Sequence, residues 1–282
     1  MCNDMEECSV SVIAVTHDRD ASFICRALRG VIGQSIRPME IIIVDSGDAD
    51  HFKSVEEALS DMDFENMEHR LIWMENTKAP VARNTGASKA KGDYLSFLDD
   101  DDEWYPRKLQ SQISAVNNDE PLVNIRYWEE YDDRSILFGA RVDSFGNILG
   151  FNSLGNTSFP IIRRDLFMEL GGFDEELEAN QEWDLWIRAL KNNTAAFSDD
   201  IGGIKHLNPG ISTNGKLRLT GWKSLFRKHR LEYLQHKDSL ERAMKSFRDD
   251  MYARRYWWGL TVAFCYLFRF RIAYCLHRKQ SQ

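Results

Sequence analysis

The 282-residue chain lacks any cysteine pattern. Cys2, Cys8, Cys25, Cys265 and Cys275 are odd in number and scattered, without the paired spacing of a zinc site or a redox motif, so a reducing compartment is the simpler expectation. The opening residues, MCNDMEECSV, place acids where a secretory leader carries bases, and no long apolar stretch follows. Together these features predict a cytoplasmic protein. Long hydrophobic runs are lacking as well: the longest uncharged part of the C-terminal region, 256–268, has 13 residues, short of the about 20 that a spanning helix needs. There is no internal repeat and no low-complexity linker. What is present, 43% hydrophobic and 28% charged positions, suits an ordinary globular protein that buries its core without covalent staples.

Each end of the chain is poor in one sign of charge. Residues 1–204 hold 39 Asp+Glu against 19 Lys+Arg, residues 205–282 hold 5 against 17, and the whole carries −8. An acidic body calls for a cation, and a basic end calls for an anionic surface, either a membrane or nucleic acid. In 251–282 there is no acid at all, and Arg254, Arg255, Arg269, Arg271, Arg278 and Lys279 surround Trp257, Trp258 and Phe264. The unbroken apolar run there fits contact with a membrane surface better than nucleic acid. Packing of the same aromatics on the preceding domain, or across a dimer, is the alternative.

Hydrophobic patterning predicts a strand at SVSVIAVT, a helix at FICRALRGVIGQ and a continuous apolar strand at EIIIVD. A strand, helix, strand order of this length implies a parallel crossover, and near-continuous apolar strands imply helices on both faces. The expected fold class is therefore α/β, a doubly wound, mostly parallel sheet. VEEALSDM (helix), HRLIWMEN (strand), APVARNTGASKAKG (helix, ended by Gly92) and DYLSFLDD (strand) continue the alternation. Residues 121–160 read as antiparallel strands, DLFMELGGF and EWDLWIRALKNN as helices, and the chain from Leu217 as helical. This places a domain over 1–215 and a basic, aromatic-rich helical region over 216–282.

Ligands of such sheets collect at the carboxyl ends of the strands, and two acidic strand ends fall there. Asp99, Asp100, Asp101 and Asp102 follow the YLSFL strand, and Asp45, Ser46, Gly47 and Asp48 follow EIIIV. Adjacent carboxylates repel one another unless a cation arrives, and hard oxygen donors in this number suit Mg2+ or Mn2+ shared with a diphosphate. A solvated acidic loop is the plainer alternative, as a turn cap is for Asp45. Glu182, read alone, is an acid at a helix start that favours the helix dipole.

VSVIAVTHDR, EIIIVDSGDAD, APVARNTGASKAKGDYLSFLDDDDEW and LGGFDEELEANQEWDLWIR, in this order and spacing, resemble the family 2 glycosyltransferases of GT-A fold over roughly residues 9–215. The resemblance implies an inverting transfer of a sugar from a nucleoside-diphosphate sugar to a hydroxyl of a glycan or lipid-linked acceptor, dependent on Mn2+ or Mg2+. By the same resemblance Thr16, Asp18 and Arg19 lie near the nucleotide base, Asp45 contacts the nucleotide, and Arg83, Asn84 and Gly86 line the donor site. It puts the Asp-x-Asp motif on Asp99, toward ribose and metal, and Asp101, the principal metal ligand. Asp100 lies between them in the donor site, and Asp102 is the next candidate. Gly171 to Glu175 corresponds to the segment beside the acceptor, Glu182 to the general base and His206 to a late metal or phosphate contact. Asp184 is expected to be structural or to orient the acceptor. Ser46 departs from the family, many of whose members carry there an Asp that reads uracil; a hydroxyl lacks the charge and fixed acceptor geometry, so UDP is favoured while GDP and dTDP remain open. A sugar nucleotidyltransferase is the rival enzyme, but VTHDRDAS has no glycine for a phosphate loop. An inactive glycan- or nucleotide-binding protein is the rival outside catalysis, and the retained Asp99, Asp101 and Glu182 weigh against it.

Overall fold

The structure is a computed structural model that describes residues 8–131, 133–142, 144–206 and 214–253, with 259, 261, 262 and 265 beyond them. The expectation of membrane contact through 251–282 therefore falls largely outside the described residues. The chain runs β1 (Val10–Thr16), α1 (Ala21–Ile32), β2 (Glu40–Asp45), α2 (Ala49–Ser60), β3 (Glu68–Trp73), α3 (Ala79–Lys89) and β4 (Tyr94–Asp99). A second half follows: β5 (Glu103–Trp104), α4 (Lys108–Ile113), β6 (Leu122–Glu130), β7 (Ser135–Phe138), α5 (Phe145–Gly150), β8 (Ile161–Arg163), α6 (Arg164–Glu169), α7 (Gln181–Leu190) and β9 (Ala195–His206). The C-terminal helices are α8 (Gly215–Lys228), α9 (Arg230–Gln235) and α10 (Lys237–Ala253).

One mixed sheet holds the strands in the order β3-β2-β1-β4-β8-β6-β9-β5, with β7 on β6. The first four strands are mutually parallel, as expected from the alternation of apolar runs and helices. β8 then pairs antiparallel with both β4 and β6, and β9 returns parallel to β6. The strand β9 has no counterpart in the sequence reading, because Asp199, Asp200, Gly202 and Gly203 interrupt its apolar pattern. The helix before β4 stops at Lys89, earlier than Gly92; Gly92 serves the entry to β4, its N–H donating to Ser11 Oγ at 2.8 Å.

The apolar runs are explained by burial on both faces. Along β1, Ile13 and Val15 enter one core, while Val10, Val12 and Ala14 enter the other, the period-two alternation of a strand. The second core lies under α1, α2 and α4. The first lies under α3, α6 and α7 and continues without a break into Trp222, Phe226, Phe247 and Met251 of α8 and α10. Trp183 of α7 meets Trp222 edge to face at 5.0 Å. At about 1.5–3 kcal/mol for each buried large apolar side chain, these contacts weld the C-terminal helices to the helix that carries Glu182.

Candidate active site

β1 has β2 on one side and β4 on the other, so the strand order turns around β1, the point where open α/β sheets leave a crevice. Register aligns Thr16 with Asp45 and Val15 with Asp99, bringing the acidic ends of β2 and β4 onto one rim with Thr16 between them. Thr16 Oγ1 donates to Asp100 Oδ2 at 2.8 Å. Arg19, in the turn that follows β1, donates to Asp100 Oδ1 at 2.9 Å and pairs with Asp101. Arg83 of α3 pairs with Asp99, and Asp99 N–H donates to Ser158 Oγ at 3.1 Å. Asp102 is 1% exposed, with Asn156 Nδ2 donating to Oδ2 at 2.8 Å and Oδ1 buried without a partner in hydrogen-bonding geometry. Asp18 is exposed beside His17.

Burial raises the Asp100 carboxyl to about 6 although Arg19 and Thr16 oppose it, and Asp101 and Asp99 add to the rise. Burial likewise pushes Asp102 well above the carboxylate range, with Asp101 and Asp99 adding repulsion. Asp100 and Asp102 are thus the electrostatically stressed members of the run.

Asp45 and Ser46 lie deeper than expected for ligand contacts. Asp45 is 0% exposed, accepting from Gly47 N–H at 2.8 Å and facing His51 Nδ1 at 2.9 Å. Ser46 Oγ donates inward to Thr16 O at 2.9 Å, and its carbonyl lies 2.9 Å from His17 Nδ1. Asp48 caps α2 through His51 N–H. Hydrophobic periodicity gave no hint of His51; its place on the first turn after a strand-end aspartate is the one available signal.

Glu182 lies in the first turn of α7, half-buried, and its side chain makes no hydrogen bond or ion pair within the described residues. Its charge and that of Asp102 both act on Lys205 of β9. Burial works against the Lys205 charge, but Glu129, whose Oε1 lies 2.9 Å from Nζ, outweighs it, and Asp102 and Glu182 help to hold the ammonium above its ordinary value. Lys205 and Glu129 join the acid cluster to the α7 start, a link absent from the sequence reading because β9 itself was. His206 is placed between Glu103, 2.9 Å from Nε2, and Glu130, 3.2 Å from Nδ1.

The segment Gly171 to Glu175 is fixed by its glycines and by Asn84. Gly172 has φ +72°, and a Cβ there would come within 2.5 Å of Asn84 Oδ1. Asn84 accepts from Phe173 N–H and donates to Phe173 O and Glu175, all at 2.9 Å. Gly86 lets α3 approach β1, a Cβ there falling 2.5 Å from Ile13 Cγ2. Asp184, one half-turn after Glu182, is fully buried and accepts from Arg188 Nε at 2.9 Å, Lys228 Nζ at 2.9 Å and His229 Nε2 at 2.8 Å.

Among the described residues no three His, Cys, Asp or Glu side chains are arranged to hold a metal ion by themselves. The donor set nevertheless fits Mg2+ or Mn2+: such ions are commonly held by one or two carboxylates and the substrate's phosphates, and the buried Asp102 Oδ1 is an oxygen in want of a partner.

The α/β sheet thus carries an acidic, arginine-lined rim at its switch point. The family described as Glycosyl transferase family 2 matches residues 11–165, and the chain belongs to it. An uncharacterized glycosyltransferase of Rickettsia felis is 29% identical over 206 residues, 68% of this chain, and the chain spans about a third of that protein's length, 33% being matched. The amylovoran biosynthesis glycosyltransferase AmsB of Erwinia amylovora is 29% identical, over 66% of this chain and 65% of that one. A putative colanic acid biosynthesis glycosyl transferase, WcaA of Escherichia coli, is 26% identical over 85% of both chains. Among solved structures, S. aureus TarS 1-349 in complex with UDP has a TM-score of 0.64 at 16% identity, covering 86% of this chain and 74% of that one. TarS 1-349 with UDP-GlcNAc has a TM-score of 0.57 at 15% identity, covering 86% and 80%. These likenesses establish the GT-A fold. No helix among the described residues is long and apolar enough to cross a membrane.

Proposed function

We propose that this protein is an inverting glycosyltransferase that moves a sugar from a nucleoside-diphosphate sugar to a hydroxyl of a glycan or lipid-linked acceptor, with Mn2+ or Mg2+ as cofactor. The observation that carries the reading is the convergence of Thr16, Asp45 and the Asp99–Asp102 run at the switch point, electrostatically linked through Lys205 to the unpaired Glu182. The nucleotides in the TarS complexes favour UDP as the carrier. The names of the Erwinia and Escherichia relatives favour a surface polysaccharide as the product.

Asp99 and Asp101 hold the cation in this reading, with Asp102 beside them. Bound there, a divalent ion supplies neutralisation of the diphosphate leaving group without moving protons. Arg19 and Arg83 face the phosphates. Glu182 takes the proton from the acceptor hydroxyl as it attacks the anomeric carbon from the face opposite the leaving group, a contribution of typically 10²–10⁴-fold. The displacement is single, so an α-linked donor gives a β-linked product and no glycosyl-enzyme forms.

The test is a screen of UDP, GDP and dTDP, each with and without Mn2+, for thermal stabilisation. A nucleotide at 100 times its dissociation constant stabilises the native state by about 2.7 kcal/mol. The expected outcome is Mn2+-dependent stabilisation, largest with UDP. If none of the three raises the melting temperature, the donor-site reading is withdrawn.

A further inference from the structure

The rim holds two orphaned groups of opposite kind. The Arg83 side chain is 9% exposed; it pairs with Asp99 through one terminal nitrogen, while Nε is buried with no acceptor. The Asp102 carboxylate is satisfied on one oxygen, while the other is buried with no donor. Buried polar atoms are rarely left in this state, because each has lost its solvation without gaining a partner. A site with a guanidinium nitrogen short of an acceptor and a carboxylate oxygen short of a donor is complementary to an anion and a cation bound together.

The ion pairs around the orphans point the same way. Arg19 lies on Asp100 and Asp101, and Arg83 lies on Asp99. These guanidiniums occupy carboxylates that a divalent cation would use. A cation arriving alone displaces a guanidinium into a mostly buried space that offers it no anion, and an uncompensated buried charge is strongly destabilising. A diphosphate arriving alone meets the negative charge of the same carboxylates. Arriving together, the phosphate oxygens take the guanidiniums and the cation takes the carboxylates, so every charge keeps a partner.

We infer that Arg19 and Arg83 exchange partners on ligand binding, passing from Asp99, Asp100 and Asp101 to the diphosphate as a divalent cation takes the carboxylates, so that the two ligands bind with positive coupling and each alone binds weakly. The inference rests on the donor-site reading and adds to it the free-state role of the two arginines.

Calorimetry on the full chain, with MnCl2 and with UDP (or GDP or dTDP, if the screen selects one of those), tests it. In the unaltered protein, Mn2+ is expected to bind more than about 10-fold tighter in the presence of the nucleotide, within the range of ordinary coupling free energies. Arg83→Met frees Asp99. It should therefore bind Mn2+ alone several-fold more tightly than the unaltered protein, bind the nucleotide alone more weakly, and show a coupling factor close to one. Arg83→Lys, which keeps the charge, should retain most of the coupling. A residue with a purely structural role does not raise metal affinity when it is removed. Binding of Mn2+ alone that is unchanged or weaker in Arg83→Met, or a coupling factor equal to the unaltered protein's, overturns the inference. Should Arg83→Met not fold, Arg19→Met is read by the same criteria, since the Arg19 side chain is 34% exposed. Nucleotide binding that needs no Mn2+ overturns the coupling but leaves a donor site standing, whereas no nucleotide binding under any condition removes the donor site itself.

Discussion

Asp102 and Asp184 are buried to nearly the same degree, 1% and 0%, and the chain treats them in opposite ways. Asp102 follows three other aspartates, accepts from the neutral Asn156 amide and is pushed well above the carboxylate range by burial and by Asp101 and Asp99, which outweigh Ser158 and Lys205. Asp184 would also be raised by burial, but His229, Arg188 and Lys228 outweigh it and hold its carboxyl at about 2. Lys228 also pairs with Asp174, and Arg188 donates to Leu170 O and Gly172 O, so the Asp184 cluster ties α7 to the segment 170–174 and to α8. A saturated charge cluster is a fastening. A cluster left with repulsion and an orphaned oxygen in a strand-end crevice is a place prepared for a ligand.

Helix α7 carries both kinds of carboxylate two residues apart, which makes it the sharpest place to test the contrast. Glu182→Gln is expected to lower transfer by roughly 10²–10⁴-fold while the melting temperature and Mn2+-dependent nucleotide binding stay near those of the unaltered protein. Full activity in that variant would end the base assignment. Asp184→Asn should act on stability instead, costing about 3 kcal/mol by urea denaturation, because Arg188, Lys228 and His229 lose their common anion. The same contrast has a pH signature. Asp184 titrates lower in the folded state than the usual 3.8, so its pairing contributes about 2 kcal/mol wherever the unfolded aspartate is ionised, and that contribution fades as pH falls from about 4 toward 2. Asp184→Asn should remove this part of the acid sensitivity; an unchanged acid limb would show that the cluster is not the fastening described. The smallest effect is expected at the stressed cluster. Asp102→Asn removes a carboxyl that burial and its acidic neighbours hold well above its ordinary range, so the melting temperature should rise by about 2 °C, or about 1 kcal/mol, in a ligand-free thermal melt. A clear fall would show that the acid run is stabilising and would erase the comparison.

The parallel half of the sheet was legible because β1, β2 and β4 are apolar on both faces and β1, β2 and β3 are each followed by a helix. EIIIVD and YLSFLD admit few other readings, and their acidic ends carried the acidic rim with them. The second half was less legible. β9 hides behind two aspartates and two glycines, and with it went Lys205, the cation between the acid run and Glu182. Asn156, Thr157 and Ser158 belong to an irregular segment before β8, where no periodicity marks which polar atoms turn toward Asp99 and Asp102. The aromatics of α8 and α10 were visible as composition, but Trp222 against Trp183 is a contact between segments some forty residues apart, and only packing makes it.

The sequence by itself determined the α/β alternation, the acidic strand ends, the family and the identity of the chemical groups, because strand and helix periods and motif spacing are local properties of the chain. Tertiary structure decided which of those groups are in tension. Burial and partner choice depend on residues brought together from distant segments, and they turned Asp45 inward onto His51, fastened Asp184, and left Asp102 and Arg83 each with an unpaired atom at the same rim.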